Sequence, residues 1–312
     1  MPQPAVDSTL KTIGNTPVVK LNRVVPADCA DIYIKLEGTN PTGSYKDRLA
    51  LAMIEGAEQR GELTPGRTVV EYTGGSTGSS LAFVCAVKGY PLKLVTSDAF
   101  APAKLRTMQA FGAILTIIPS QNGQITPDLL PSMGREARRI AEEEGAFWTD
   151  QFNNHELPTG YRKIGEELVA QIDAPIDAFC AAVGTAGMLV GTAQALREAR
   201  PEIRVIALEP ASAPLITEGR KGTHHVEGIG VGFLPPALTA DTYDEARAID
   251  ETEARAMVKR LAREEGVFAG TSTGLNVVGA IQVGRQFGPG HTVVTIAVDT
   301  GLKYLTTDLY AE

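Results

Sequence analysis

The chain is expected to be an α/β protein with two three-layer domains built on mainly parallel sheets, and three observations predict it. Short β-branched apolar runs recur along the sequence without polar alternation, which suits strands buried on both faces. Segments of helical period lie between them, and such alternation of strand and helix builds parallel sheets covered by helices. One stretch, residues 150–161, interrupts the alternation about halfway along, and 312 residues is about two domains' worth of chain.

In order, the first expected strand is IYIKLE (32–37), followed by a turn signal, Asn40-Pro41-Thr42-Gly43, and a helix over 47–61. The strand TVVEYT (68–73) leads to a helix at 77–88, LKLVTS (92–97) to one at 103–111, and ILTIIP (114–119) to one at 129–144. DQFNNHELPTGY (150–161) reads as the region joining two α/β domains. Beyond it come AFCAAV (178–183) with a helix at 187–199, IRVIALEP (203–210), a helix at 251–265 and HTVVTIAV (291–298). The helix at 251–265 opens with Asp250 and Glu253 in capping-box spacing.

Composition excludes several classes of function. Twenty-nine basic against thirty-seven acidic residues give a net charge of -8, and basic residues cluster no further than Arg138-Arg139 and Arg220-Lys221. Nucleic acid and anionic membranes are therefore not expected partners. Cys29, Cys85 and Cys180 are an odd number at wide spacing, so neither a disulfide framework nor a zinc site is expected. The beginning has no charged and apolar leader pattern and no run of 18 apolar residues occurs, so the expected address is cytoplasmic.

The chemistry centres on Lys46 in NPTGSYKDR (40–48). It falls at a helix start, whose partial positive charge disfavours a cation by a few tenths to about 1 kcal/mol. A lysine amine pushed toward its neutral form is a nucleophile suited to Schiff-base chemistry. A solvated surface lysine would satisfy the same local pattern. Three small-residue loops each precede a helix: EYTGGSTGSS (71–80), VGTAGMLVG (183–191) and AGTSTGLN (269–276). Backbone N–H groups at such positions hold carboxylate or phosphate. None of the three matches the P-loop or the dinucleotide fingerprint, and each alone reads equally as a tight turn. Two anion sites beside a suppressed lysine amine suit a phosphorylated aldehyde and an amino acid, a description that pyridoxal phosphate meets.

The chain also resembles the cysteine synthase and cystathionine β-synthase family of fold type II pyridoxal phosphate enzymes, whose fold is like that of tryptophan synthase β. The resemblance runs through IGNTPVVKLN (13–22), KLEGTNPTGSYKDR (35–48), TGGSTG (73–78), FGA (111–113), DQFNN (150–154), GTAGM (184–188), HHVEGIGVGFLP (224–235), GTSTG (270–274) and DTGLKY (299–304). It implies a smaller, mobile substrate-side domain over 37–150 and a larger cofactor-phosphate-binding domain formed by 1–36 and 151–312. By the same resemblance Lys46 is the catalytic lysine bonded to the cofactor. Thr73, Gly74, Gly75, Ser76 and Thr77 form the substrate carboxylate loop, joined by Gln151, and the backbone of Gly228 approaches the active-site lysine and the substrate bonded to the cofactor. Gly184, Thr185, Ala186, Gly187 and Met188 cradle the cofactor phosphate, and Ser272 faces the pyridine nitrogen. No metal is implied, and a homodimer is.

Departures from the family pattern bear on specificity. Gly74-Gly75-Ser76-Thr77 stands where the sulfhydrylases carry Ser-Gly-Asn-Thr, so a short hydroxyl at Ser76 replaces the amide that contacts the cofactor. GTAGM stands for GTGGT, which removes a hydroxyl at Met188, and SDAFAPAKLR (97–106) replaces a more charged Met-Ser-x-Glu-Arg stretch near the substrate entrance. The implied reaction is β-replacement on an activated L-serine, cysteine synthesis from O-acetyl-L-serine or a related donor with sulfide. The alternatives are β-elimination, as by a cysteine desulfhydrase or a serine/threonine dehydratase, and a silent protein that binds pyridoxal phosphate or an amino acid. A lysine of reference pKa near 10.4 must be lowered by roughly three units, about 4 kcal/mol, to serve. The helix start and closure around the cofactor are the expected sources.

Overall fold

The structure, a computed structural model, describes residues 5–124, 126 and 128–311. In chain order its strands are β1 (Val18–Lys20), β2 (Asp31–Leu36), β3 (Val69–Tyr72), β4 (Leu92–Ser97), β5 (Ile114–Ile118), β6 (Phe147–Trp148), β7 (Ala178–Ala182), β8 (Arg204–Pro210), β9 (Glu245–Ile249) and β10 (Thr292–Ala297). The helices are α1 (Lys46–Gln59), α2 (Ser76–Lys88), α3 (Pro102–Ala110), α4 (Leu129–Glu144), α5 (Leu157–Gln171), α6 (Gly187–Ala199), α7 (Leu215–Glu218), α8 (Glu251–Arg260) and α9 (Thr271–Phe287). They form two compact units, Met1–Gly14 with Asn40–Glu156, and Asn15–Thr39 with Leu157–Glu312.

The smaller unit holds a four-stranded parallel sheet in the order β5-β4-β3-β6. Val69, Val70 and Glu71 are consecutive and fully buried, so both faces of β3 are covered. Leu129, Met133, Ala137 and Ile140 recur at helical spacing along α4 and pack on Val70 and Val95. Gly145, in the left-handed conformation, ends that helix. The N-terminal residues join this unit because a 3₁₀ turn at Thr9–Thr12 packs on α2 and Gly14 N donates to Asn40 Oδ1 at 2.9 Å. At the other boundary, Glu156 pairs with Arg60 of the same unit at 2.5 Å. Among the described residues the unit runs over 5–14 and 40–156, where the resemblance implies 37–150.

The larger unit holds a six-stranded sheet in the order β1-β2-β10-β7-β8-β9, antiparallel between β1 and β2 and parallel elsewhere. Its core joins Ile32, Ile34, Cys180, Ile206, Leu208, Val293 and the nearly all-buried helix α9. Asn276, on α9, is fully buried and ties that helix to two strands: its Oδ1 accepts from Ala182 N at 2.8 Å and its Nδ2 donates to Ile296 O at 2.9 Å. Ser272 lies one turn earlier on the same face.

The expected strands are all present, trimmed at their ends, and the helices at 47–61, 77–88, 103–111, 129–144 and 187–199 appear within a residue or two. Asp250 caps α8 by accepting from Glu253 N at 3.0 Å, but the helix changes at Leu261 to a π turn through Glu265. The joining region is corrected at its second half, where Leu157 already begins α5. Among the described residues no helix is long and apolar enough to cross a membrane, and no group of three His, Cys, Asp or Glu is placed to hold a metal.

Replacing Asn276 by Leu orphans a buried N–H and a buried carbonyl, each worth about 1–3 kcal/mol. Asn276→Leu is expected to lower the unfolding free energy by about 3 kcal/mol, read by denaturant titration with circular dichroism. A loss under about 1 kcal/mol would show that the two strand ends do not depend on this side chain.

Candidate active site

The turn before Lys46 is closed by Gly43 N donating to Asn40 O at 2.7 Å and by Thr42 N donating to Asp47 Oδ2 at 2.8 Å. Lys46 is then the first residue of α1, with its own N–H donating to Ser44 Oγ at 3.3 Å and its Nζ 4.6 Å from the Tyr45 ring centre. The side chain is 8 % exposed, and burial lowers its pKa from 10.5 to about 7. Desolvation penalises the charged form, and the field of a helix start acts in the same direction. Burial is therefore the main source of the suppression that the sequence only located.

The loop Thr73 to Thr77 follows β3. Thr73 N donates to Val95 O at 2.9 Å, and Thr73 Oγ1 accepts from Gly75 N at 3.1 Å. Thr77 Oγ1 donates to Gln151 Oε1 at 2.8 Å, and Gln151 Nε2 donates to Tyr72 O at 3.2 Å. The structure thus pairs Thr73 with Gly75 and Thr77 with Gln151, which in turn bonds the backbone just before the loop at Tyr72. The Thr77 hydroxyl donates within the protein, and the start of α2 at Ser76 and Thr77 offers an anion its backbone N–H groups.

Glu71 joins these residues, and sequence reasoning missed it. Its Oε2 accepts from Thr149 Oγ1 at 2.6 Å and Gln151 N at 2.9 Å, and its Oε1 accepts from Tyr72 N at 2.8 Å and Trp148 Nε1 at 3.4 Å. Burial raises its pKa from 4.5 to about 7 against the pull of these donors. The available signal was a lone acid inside an otherwise apolar strand, TVVEYT.

In the larger unit, β7 ends at Ala182 and α6 begins at Gly187, with Ala186 between them at φ +65°. A left-handed alanine costs about 1 kcal/mol or more, strain that the surrounding turn must hold. A Cβ on Gly184 would stand 2.4 Å from the carbonyl oxygen of Gly228, and Gly230 N donates to Val183 O at 3.1 Å. The close approach of these two backbones requires glycine at 184 and brings together Gly184 and Gly228. Thr185, Met188 and Ser272 are buried, the last in the first turn of α9, where Thr273 Oγ1 accepts from Val298 N at 3.0 Å.

Each unit by itself offers groups that suit pyridoxal phosphate: in the smaller, a buried amine near neutrality for an aldehyde; in the larger, a small-residue turn at a helix start for a phosphate and a buried hydroxyl for a ring nitrogen. The cysteines do not offer rival nucleophiles. All three are buried, and burial raises their thiols, that of Cys85 to about 12.

The raised pKa of Glu71 gives a pH signature. In the folded chain it holds its proton up to about 7, in the unfolded chain only to 4.5, so the stability it contributes is present below 4.5 and lost as pH rises through 7. Apo wild type is expected to lose up to about 3 kcal/mol more than Glu71→Gln between pH 5 and 8. The chain's single tryptophan, Trp148, reports on this unit by fluorescence during denaturant titration. Parallel pH profiles for the two proteins would contradict the assignment.

Comparison with known proteins agrees with the geometry. The family described as pyridoxal-phosphate dependent enzyme matches residues 9–299. A cysteine synthase of Staphylococcus aureus is 41% identical over 318 residues, covering 100% of this chain and 99% of its own. An O-ureido-L-serine synthase of Streptomyces lavendulae is 38% identical over 309 residues, covering 98% and 93%. The crystal structure of an O-acetylserine sulfhydrylase isoform from Entamoeba histolytica superposes with a TM-score of 0.93 at 30% identity, covering 100% of this chain and 94% of that one. A match over nearly the whole length, on a fold with two mainly parallel sheets, places the chain in the pyridoxal-phosphate dependent enzyme family.

Proposed function

We propose that the protein carries out β-replacement on an activated L-serine, making cysteine from O-acetyl-L-serine and sulfide. The observation that carries the reading is the buried Lys46 amine, with a pKa near 7 at the start of α1. The cysteine synthase and O-acetylserine sulfhydrylase relatives supply the donor and the nucleophile. Pyridoxal phosphate, when bound, supplies an aldehyde that condenses with amines and a ring that draws electrons from the substrate's α-carbon.

The chain's own residues do the rest. Lys46 Nζ holds the cofactor, accepts the α-proton of the substrate and returns it once the new bond has formed. The backbone of Thr73, Gly74, Gly75, Ser76 and Thr77 binds the substrate carboxylate, with Gln151 keeping Thr77 in place. Acetate leaves the β-carbon with its bonding pair, and hydrosulfide supplies the pair for the new C–S bond. Gly184, Thr185, Ala186, Gly187 and Met188 receive the phosphate, and Gly228 sets the shape of that turn. Ser272 offers the ring nitrogen a neutral hydroxyl rather than a carboxylate, which favours loss of a β-substituent over transamination. A homodimer in the cytoplasm completes the proposal, on the family resemblance.

Purified holoenzyme given O-acetyl-L-serine and sulfide is expected to form cysteine, and borohydride is expected to fix the cofactor to Lys46 in peptide maps. Lys46→Ala should keep its fold and lose turnover by several orders of magnitude. Pyruvate and ammonia in place of cysteine would make the protein an eliminating enzyme, and an adduct on another lysine would overturn the role of Lys46.

A further inference from the structure

The glycine at position 74 has a physical cause in the segment that departs most from the family pattern. A Cβ built on Gly74 would stand 2.2, 2.2 and 2.3 Å from Cδ1, Cγ and Cδ2 of Phe100. A point nearly equidistant from three atoms of a hexagonal ring lies on the axis through its centre. The phenyl face, rather than its edge, therefore stands where a side chain at 74 would be.

The ring is held there from its own side as well. Phe100 N donates to Ser97 O at 3.3 Å, Ala99 N donates to Ser97 Oγ at 3.3 Å, and Asp98 Oδ1 accepts from Ser120 N at 2.7 Å, which together fix the turn before α3. The ring packs against the cluster of Val70, Val95, Leu129 and Met133 yet keeps part of its surface exposed. Residue 74 can carry no side chain while the ring is in place, and the flank of the loop becomes apolar.

We propose that Phe100 is a specificity-determining residue that, by standing on Gly74, selects L-serine donors whose β-substituent is uncharged. The inference rests on the reading of Thr73–Thr77 as the substrate carboxylate loop. A phenyl ring offers no hydrogen-bond donor, so a phosphate dianion brought beside it loses water without compensation, whereas an acetyl ester does not. The turn itself carries Asp98 and no basic residue to offset that charge.

The test uses holoenzyme of the wild type, Phe100→Ala, Phe100→Leu, Gly74→Ser and the Gly74→Ser/Phe100→Ala double variant. Three quantities are measured: kcat/KM for O-acetyl-L-serine and O-phospho-L-serine, the Kd for L-alanine, and Tm. L-alanine has the amine and carboxylate but no leaving group, so its binding reads the loop without turnover. Phe100→Ala is expected to reduce the acetyl-to-phospho ratio of kcat/KM about tenfold while the L-alanine Kd changes by less than about threefold. Gly74→Ser should lower Tm by on the order of 5 °C in the wild-type background and by much less when Phe100 is absent. Phe100→Leu, which keeps an apolar flank without a π face, should fall between wild type and Phe100→Ala in the donor ratio. An unchanged ratio in an active Phe100→Ala overturns the specificity role alone. Turnover of neither donor, with L-alanine bound and the Tm coupling intact, overturns the β-replacement reading and with it the donor selection. Equal Tm losses for Gly74→Ser in both backgrounds would contradict the contact itself.

Discussion

Everything proposed for this protein depends on the burial of one amine. Moving the Lys46 pKa from 10.5 to about 7 corresponds to about 5 kcal/mol against its protonated form, a sizeable share of the stability of an ordinary domain. Asn40 to Asp47 fold into a closed turn and Lys46 is buried, so the cost is met by the fold around it. A surface lysine at the same helix start would feel only the helix field, worth at most about 1 kcal/mol, and would remain a cation.

Each unit also repeats one device. A parallel strand ends in a turn of small residues, and a helix begins where the turn stops: β3, Thr73 to Gly75 and α2 in one, β7, Val183 to Ala186 and α6 in the other. The device suits anions because both the turn and the helix start present backbone N–H groups at the carboxyl ends of the strands. The two versions differ in what holds them. The first is braced by side chains, Thr77 on Gln151 and Gln151 on Glu71, and the second by backbone packed on backbone, Gly184 against Gly228. A buried carboxyl such as Glu71, accepting four donors, fixes a loop more sharply than apolar packing does, and its desolvation is the cost of that order.

The sequence revealed the interior better than the edges. Strands β2, β3, β4, β7, β8 and β10 were legible because burial on both faces makes them continuous apolar runs, and β5, although an edge strand, because Ile114 to Ile118 carries such a run. The strands it did not reveal, β1, β6 and β9, all lie at sheet edges, where Val18-Val19-Lys20, Phe147-Trp148 and Glu245 to Ile249 are short or half-exposed and carry no such run. Helix α9 was expected after the loop at 269–276 but without bounds, since it is buried nearly all round and shows no polar face to set a period. At the site, Lys46 and the three loops were visible from turn chemistry. Glu71 and Phe100 were not, because their importance comes from partners distant in sequence, Thr149 and Gln151 for one and Gly74 for the other.

The central claim, that burial keeps the Lys46 amine neutral near pH 7, is tested most directly by the pH dependence of cofactor uptake. Apo-protein mixed with pyridoxal phosphate should bind it covalently at a rate that follows the neutral fraction of Lys46. After correction for the titration of free pyridoxal phosphate, that rate should rise through an apparent pKa near 7 and be level by about pH 9. A rate that keeps rising tenfold per pH unit to pH 10 would mean an ordinary solvated lysine and would contradict the account.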